Sequence, residues 1–438
     1  MVQGILVPTD SVNSESLLTY KGGRRMAHKS ILVVGGGVSG LTAAVEASEA
    51  GSEVYLVEQK SYLGGRVAQM NQYFPKLCPP NCGLEINFKR IKQNPRIKFF
   101  TLAEIEKIDG VEGDYTVTVK SNPRYVNQNC TACGKCTEVC PAERSNEFNY
   151  GMDKTQAIYK AHEFAFPMKY VIDGQACLGA ECGKCVAACE YGAIELDMSA
   201  KSFNLNVGSI VWATGWEPYD AKKVDYYGFG KHQNVITNVM MERLAASNGP
   251  TAGKIVRPSD GKEVKTVAFV QCAGSRDENH LPYCSGVCCM ASLKQATYVK
   301  AMNSDSKVYM FYIDVRAMGK HEDFYTKVQD DITMIKGKVG EISEDPETKD
   351  LIVQVENQLT GEIMKETVDM VVLATGMVPA TSNVPDAITC DEDGFIVSDP
   401  QQLGVYSAGC VKKPLDVSSS VKDSTSAALK AIQSTVRR

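Results

Sequence analysis

Residues 29–59 read KSILVVGGGVSGLTAAVEASEAGSEVYLVEQ. The apolar run Ile31 to Val34 leads straight into Gly35-x-Gly37-x-x-Gly40, and the residues that follow carry an amphipathic helical pattern. A second apolar stretch, SEVYLVE, closes on Glu58, 18 residues beyond Gly40. Strand, glycine turn, helix and a second strand with a terminal acid are the parts of a dinucleotide-binding unit. Gly35 permits the tight turn, Gly37 lets the backbone approach a pyrophosphate, and Gly40 allows close helix packing. The phosphates then rest on the helix N-terminus at Val38 and Ser39, and Glu58 accepts hydrogen bonds from an adenosine ribose. A bare glycine triplet is a weak signal that an ordinary turn would satisfy. The strands, helix and acid around this one make it specific.

Beyond that unit, YLGGRVAQ supplies Gly64, Gly65 and Arg66 shortly after Glu58 and Gln59. SIVWATGWEP and MVVLATGMVP each place an apolar strand before Ala-Thr-Gly, at Ala213, Thr214 and Gly215 and again ending at Gly376. Near the C-terminus, GVYSAGCV, with Gly409 and Cys410, precedes the helical STSAALKAIQ. This set resembles the two-dinucleotide flavoprotein family that includes thioredoxin reductase, over most of residues 27–438. The resemblance implies a Rossmann-type α/β fold with FAD as cofactor, held at the positions just named. A Gly-Asp pair holds the flavin ribityl chain in that family. Here Gly409 fits, and Cys410 stands where the acid would be.

The chain as a whole sets limits on function. Its 438 residues allow two or three domains, and 44% apolar with 23% charged residues is ordinary for a globular protein. A net charge of −5 gives no electrostatic reason to expect nucleic acid. Apolar runs such as VDMVVLATGMV are interrupted well short of the ~18 residues that would cross a bilayer, so direct membrane insertion is not expected. Residues 1–26 have no secretory h-region and read as a loose polar arm, which implies a cytoplasmic protein.

Sixteen cysteines without an export signal argue for thiols or metal ligands over disulfides. Their grouping favours metal. Cys130-x2-Cys133-x2-Cys136-x3-Cys140-Pro141 is the bacterial ferredoxin run, and Cys177-x4-Cys182-x2-Cys185-x3-Cys189 repeats it with a longer first gap. The alternative is zinc, whose sites usually pair two CxxC knuckles; this doubled pattern suits two [4Fe-4S] clusters better. With the crossed ligation usual in such pairs, Cys130, Cys133 and Cys136 share a cluster with Cys189, and Cys177, Cys182 and Cys185 share one with Cys140. The expected division is an FAD domain at 27–121, 201–255 and 371–438, a ferredoxin module inserted at 122–200, and a second nucleotide-type domain at 256–370.

That last domain has a strand (KTVAFVQC), a helix (CMASLKQATYVKAM) and a second strand (KVYMFYIDV), but its loop has lost the fingerprint. Gly274 and Gly286 lie 12 residues apart with Arg276, Asp277, Glu278 and Pro282 between them, too long and acidic to cradle a pyrophosphate. No tight NAD(P)H site is expected. The loop carries Cys272, Cys284, Cys288 and Cys289 instead.

FVQCAGSRD, YCSGVCCMASLKQA, the Cys78 and Cys82 pair in LCPPNCGLEIN and the ferredoxin insertion together resemble the A subunit of heterodisulfide reductase, an FAD and iron-sulfur electron hub. Lacking that family's extra terminal cluster domains, the chain is most similar to the A subunits of quinone-interacting membrane-bound oxidoreductases. The resemblance implies that Lys294 approaches flavin N5 and that Cys289 is a possible further cluster ligand. Whether Cys78, Cys82, Cys284 and Cys288 bind metal is open at this level. The function implied is electron exchange between menaquinol and adenylylsulfate reductase in dissimilatory sulfate reduction. Its implied partners are a second flavoprotein or iron-sulfur subunit together with a di-haem membrane subunit, through which the chain would associate with a membrane. The rivals are a docking scaffold whose flavin does not turn over, a nicotinamide-linked ferredoxin oxidoreductase, and an electron-bifurcating heterodisulfide reductase subunit.

Overall fold

The structure, a computed structural model, describes residues 28–386, 388–397 and 404–436. The arm expected at 1–26 lies outside the described residues. Five parallel strands form the first sheet, in the order Val405–Ser407, Ser209–Trp212, Ser30–Val34, Glu53–Glu58 and Ile97–Thr101. Successive residues of a strand point to opposite faces, and a parallel sheet is covered on both. Ile31 and Val33 accordingly pack with Leu41 and Ala44 of the helix Val38–Glu49 and with Ala427 and Ala431 of the helix Val417–Val436. Leu32 and Val34 pack on the other side with Val117, Val119, Leu205 and Val207. Those residues belong to an antiparallel meander of Ala103–Val111, Asp114–Ser121 and Lys201–Val207.

The second sheet repeats this plan. Its parallel strands run Val235–Thr237, Met370–Thr375, Thr266–Ala273, Lys307–Tyr312 and Thr333–Lys336. The helices Asn238–Ala245 and Cys288–Met302 cover one face, and the meander Val339–Glu344, Leu351–Glu356 and Ile363–Val368 covers the other. Two short strands, Trp216–Pro218 and Met377–Pro379, pair where the chain passes between the sheets. The sequence-based division needs correcting here. It puts residues 235–255 and 371–375 in the FAD domain, whereas Val235–Thr237 and Met370–Thr375 pair in the second sheet. An apolar parallel strand fits either sheet, and only pairing decides between them.

Ser121 pairs with Lys201, so the chain leaves the meander and returns to it across a single rung. The residues between form a small module with helices Lys135–Glu138 and Lys184–Ala188 around Val126, Ile158, Ile172, Ala193 and Ile194. So few apolar residues bury little surface, and in a unit of this size bound metal commonly supplies the missing stability. Among the described residues no helix is long and apolar enough to cross a membrane.

Candidate flavin and iron-sulfur centre

The glycine turn sits at the C-terminal edge of the first sheet, where open α/β sheets bind ligands. Gly35 has φ of 104°, and a Cβ there would collide with the Ala213 carbonyl. Its N–H donates to the Val57 carbonyl at 2.8 Å, tying the turn to the neighbouring strand. Gly37 precedes the helix, whose first residues are Val38 and Ser39, with Gly40 pressed on the turn behind them. The second glycine loop lies alongside: Gly37 bridges to Gly64, and a Cβ on Gly65 would come 2.8 Å from Gly37 Cα. The result is a cradle of bare backbone at a helix N-terminus, which fits a pyrophosphate.

Glu58 is 8% exposed. Its carboxylate accepts from the Gly36 N–H at 2.5 Å and the Lys60 N–H at 2.7 Å, and burial pushes its pKa up despite these donors. Each oxygen keeps a lone pair for a ribose hydroxyl. Gln59 beside it is exposed.

Ala213, Thr214 and Gly215 follow the strand Ser209–Trp212, which pairs with Ser30–Val34, and the Thr214 hydroxyl donates to the Ala380 carbonyl at 2.8 Å. Three of the residues expected at the flavin also engage other parts of the protein. Gly376 ends the second sheet's strand, packed so closely on Ser275 and Ser285 of the cysteine loop that a Cβ would collide with them. It therefore lies against that loop, at the C-terminal edge of the second sheet. Arg66 is taken up by the ribbon between the sheets, pairing with Glu217, donating to the Trp216 carbonyl and lying over the Trp216 ring. Its Nη1 donates to the Tyr150 hydroxyl at 3.1 Å. Cys410 turns away into the helix, its thiol donating to the Leu415 carbonyl at 3.3 Å, and burial raises its pKa.

Lys294 is brought to the junction of the two sheets. It is 3% exposed, and its ammonium lies 2.8 Å from Glu242 Oε1 and 2.7 Å from the carbonyl of Gln72, just beyond the flavin glycine loop. Glu242 also accepts from the Asn71 N–H at 3.0 Å, from Gln295 at 2.7 Å and from the Tyr298 hydroxyl at 3.3 Å. Sequence reasoning missed Glu242; a carboxylate on a short helix gives no signal until the fold sets a lysine opposite it.

The eight ferredoxin cysteines line two cavities in the crossed arrangement. Cys130, Cys133, Cys136 and Cys189 surround one, and Cys140, Cys177, Cys182 and Cys185 surround the other. Ile158 lines both and forms their common wall. A salt bridge between Lys135 and Glu190 closes the two halves. Two sets of four thiols facing apolar cavities fit two [4Fe-4S] clusters.

The module packs directly on the flavin loop. The Leu63 N–H donates to the Phe166 carbonyl at 2.8 Å, and the Gln69 amide donates to the Phe148 carbonyl at 2.9 Å. Arg243, 1% exposed, joins all three parts: it donates to Asn149 at 2.8 Å and to the Gln69 carbonyl at 3.3 Å, with its guanidinium over the Phe148 ring.

The other cysteines divide. Cys78 and Cys82 are exposed. Cys288 and Cys289 are buried, the first 3.7 Å from the Thr375 carbonyl and the second 3.8 Å from that of Asp314, while Cys284 accepts from the Gly286 N–H at 3.3 Å.

Comparison with known proteins agrees with this reading. Residues 30–78 match the FAD dependent oxidoreductase family and residues 129–194 match the 4Fe-4S dicluster domain. The Lactococcus lactis thioredoxin reductase superposes with a TM-score of 0.52 at 14% identity, covering 94% of this chain and 100% of that one. The fold is thus that of a thioredoxin-reductase-like FAD oxidoreductase carrying a [4Fe-4S] dicluster ferredoxin domain, with FAD and the clusters as its cofactors.

More particularly, the chain is similar to the A subunits of heterodisulfide reductases. It is 40% identical over 417 residues to one of the iron-sulfur A subunits of the CoB--CoM heterodisulfide reductase of Methanopyrus kandleri, covering 91% of this chain and 63% of that protein. It is 37% identical over 417 residues to the A subunit of the H(2):CoB-CoM heterodisulfide,ferredoxin reductase of Methanothermobacter marburgensis, with the same coverage of 91% and 63%. The chain therefore spans less than two thirds of the length of these relatives.

Proposed function

We propose that the chain is the flavin and iron-sulfur electron-transfer subunit of a heterodisulfide reductase-type complex, and that it divides electron pairs between two acceptors. The carrying observation is the direct packing of the cluster module on the flavin loop through Leu63, Gln69 and Arg243. FAD supplies conversion between two-electron and one-electron transfer, and a [4Fe-4S] cluster carries single electrons. Gly35, Gly37, Gly40, Gly64, Gly65 and Glu58 would hold the first, with Ala213, Thr214, Gly215 and Gly409 beside it. Two sets of four cysteines would hold the others.

Similarity to methanogen subunits whose names speak of the CoB-CoM heterodisulfide, and in one case also of ferredoxin, favours this reading over the exchange between menaquinol and adenylylsulfate reductase expected from sequence. On this reading Lys294, held by Glu242 at the junction, would be the residue that acts on the flavin ring. The partners on this reading are further subunits that accept single electrons from the Cys130–Cys189 module.

Anaerobic titration tests it. Reduced ferredoxin is expected to bleach the flavin through the clusters, whereas stoichiometric NADH or NADPH leaves it oxidised. Flavin reduced by NADH alone, or clusters that exchange electrons while the flavin stays inert, would overturn the proposal.

A further inference from the structure

We propose that Asp423 supplies the acidic side chain of the flavin site, taking from the C-terminal helix the place that Cys410 leaves unfilled. The inference rests on the FAD reading above.

Gly409 follows the strand Val405–Ser407 at the C-terminal edge of the first sheet, the edge that also carries the glycine turn. It has φ of 72° and lies so close to Ser39 that a Cβ would collide with the Ser39 hydroxyl. Ser39 is the second residue of the helix that starts at the turn, so Gly409 sits against the phosphate end of the cradle. The Gly409 N–H donates to Asp423 Oδ2 at 2.9 Å, and the Lys412 ammonium lies 2.8 Å from Oδ1. A carboxylate with its side chain 16% exposed is thereby held one hydrogen bond from the cradle.

The position is unusual for its type. Aspartate is a poor residue inside a helix. Asp423 lies in the second turn of Val417–Val436, and the buried face around it is small and neutral: Ser420, Ser424, Ala427 and Ala428. Meanwhile the Cys410 side chain points to Leu415 and Ser420. Each Asp423 oxygen accepts one protein hydrogen bond and keeps a further lone pair, which suits a polyol or another donor of the cofactor. A fixed negative charge beside the flavin also opposes electron uptake, and the neighbouring Lys412 moderates it.

Asp423→Asn provides the test, because its amide oxygen still accepts from the Gly409 N–H while the charge is gone. The expected result is a positive shift of the flavin midpoint with both cluster potentials unmoved. A tenfold change in the two-electron equilibrium corresponds to about 30 mV. Lys412→Met shifts the flavin midpoint the other way. Asp423→Ala loses FAD on gel filtration, read from flavin absorbance, while iron content stays. An Asp423→Asn protein with unchanged midpoint and flavin content would reduce Asp423 to a brace for the Gly409 turn and overturn the proposal. Should Asp423→Asn fail to fold, the Lys412→Met shift decides by itself. A native protein without flavin would refute the FAD reading instead, which separates the two failures.

Discussion

The Lys294 ammonium and the Glu242 carboxylate form a buried ion pair, 2.8 Å apart, that ties the helices Cys288–Met302 and Asn238–Ala245 to the segment following the flavin glycine loop. Removing one partner leaves the other buried and uncompensated, at a cost of roughly 3–5 kcal/mol. Lys294→Met and Glu242→Leu are each expected to lower the thermal midpoint by more than their combination does. Thermal melts of the two single variants and the double variant, arranged as a double-mutant cycle, measure the coupling. Simple additivity would show that the pair carries none.

Crossed ligation gives a pairing of phenotypes. Cys140→Ser and Cys177→Ser are expected to lose the same cluster, and Cys130→Ser and Cys189→Ser the other, because each pair lines one cavity. Iron falls from about eight to about four per chain in every case. Electron paramagnetic resonance of the reduced variants tells which cluster survives. Matching spectra for Cys130→Ser and Cys140→Ser would contradict the arrangement.

His162 is stacked on Phe148 with centroids 4.7 Å apart, and burial together with nearby Arg243 pushes its pKa from 6.5 down to about 4. The native state therefore prefers neutral His162. The associated stability is fully present above pH 6.5 and declines as pH falls from 6.5 towards 4. The loss is on the order of 3 kcal/mol. His162→Gln should flatten that part of the pH profile, as measured by melts between about pH 4 and 7. An unchanged slope would place the acid sensitivity elsewhere.

A Cβ at position 40 would strike the Gly35 carbonyl. Gly40→Ala is accordingly expected to push the helix off the glycine turn, costing about 1–3 kcal/mol. Flavin content, read by absorbance, should fall while iron content holds. Full FAD retention with an unshifted melt would show that the turn has room to relax.

Much of the design is legible locally. The unit from Ser30 to Glu58 can be read from sequence because strand, turn and helix are each specified by neighbouring residues. The cysteine runs can be read for the same reason, since tight ligand spacing is a property of one short loop. Met370–Thr375 is legible as a strand but not as to which sheet it joins, and with it goes Gly376, which lies against Ser275 and Ser285.

The dinucleotide turn, the two cluster motifs and the lost fingerprint of the second loop are each encoded within about thirty consecutive residues, the span of one strand-turn-helix unit, and they follow from the order of amino acids alone. Contacts between residues distant in the chain follow from packing instead. Lys294 meets Glu242 across two helices, and Arg66 meets Glu217 from the ribbon between the sheets. Asp423 reaches Gly409 from the helix behind it. Such contacts depend on how two sheets of the same plan are packed, and hydrophobic patterning specifies that a strand is buried without specifying its neighbours.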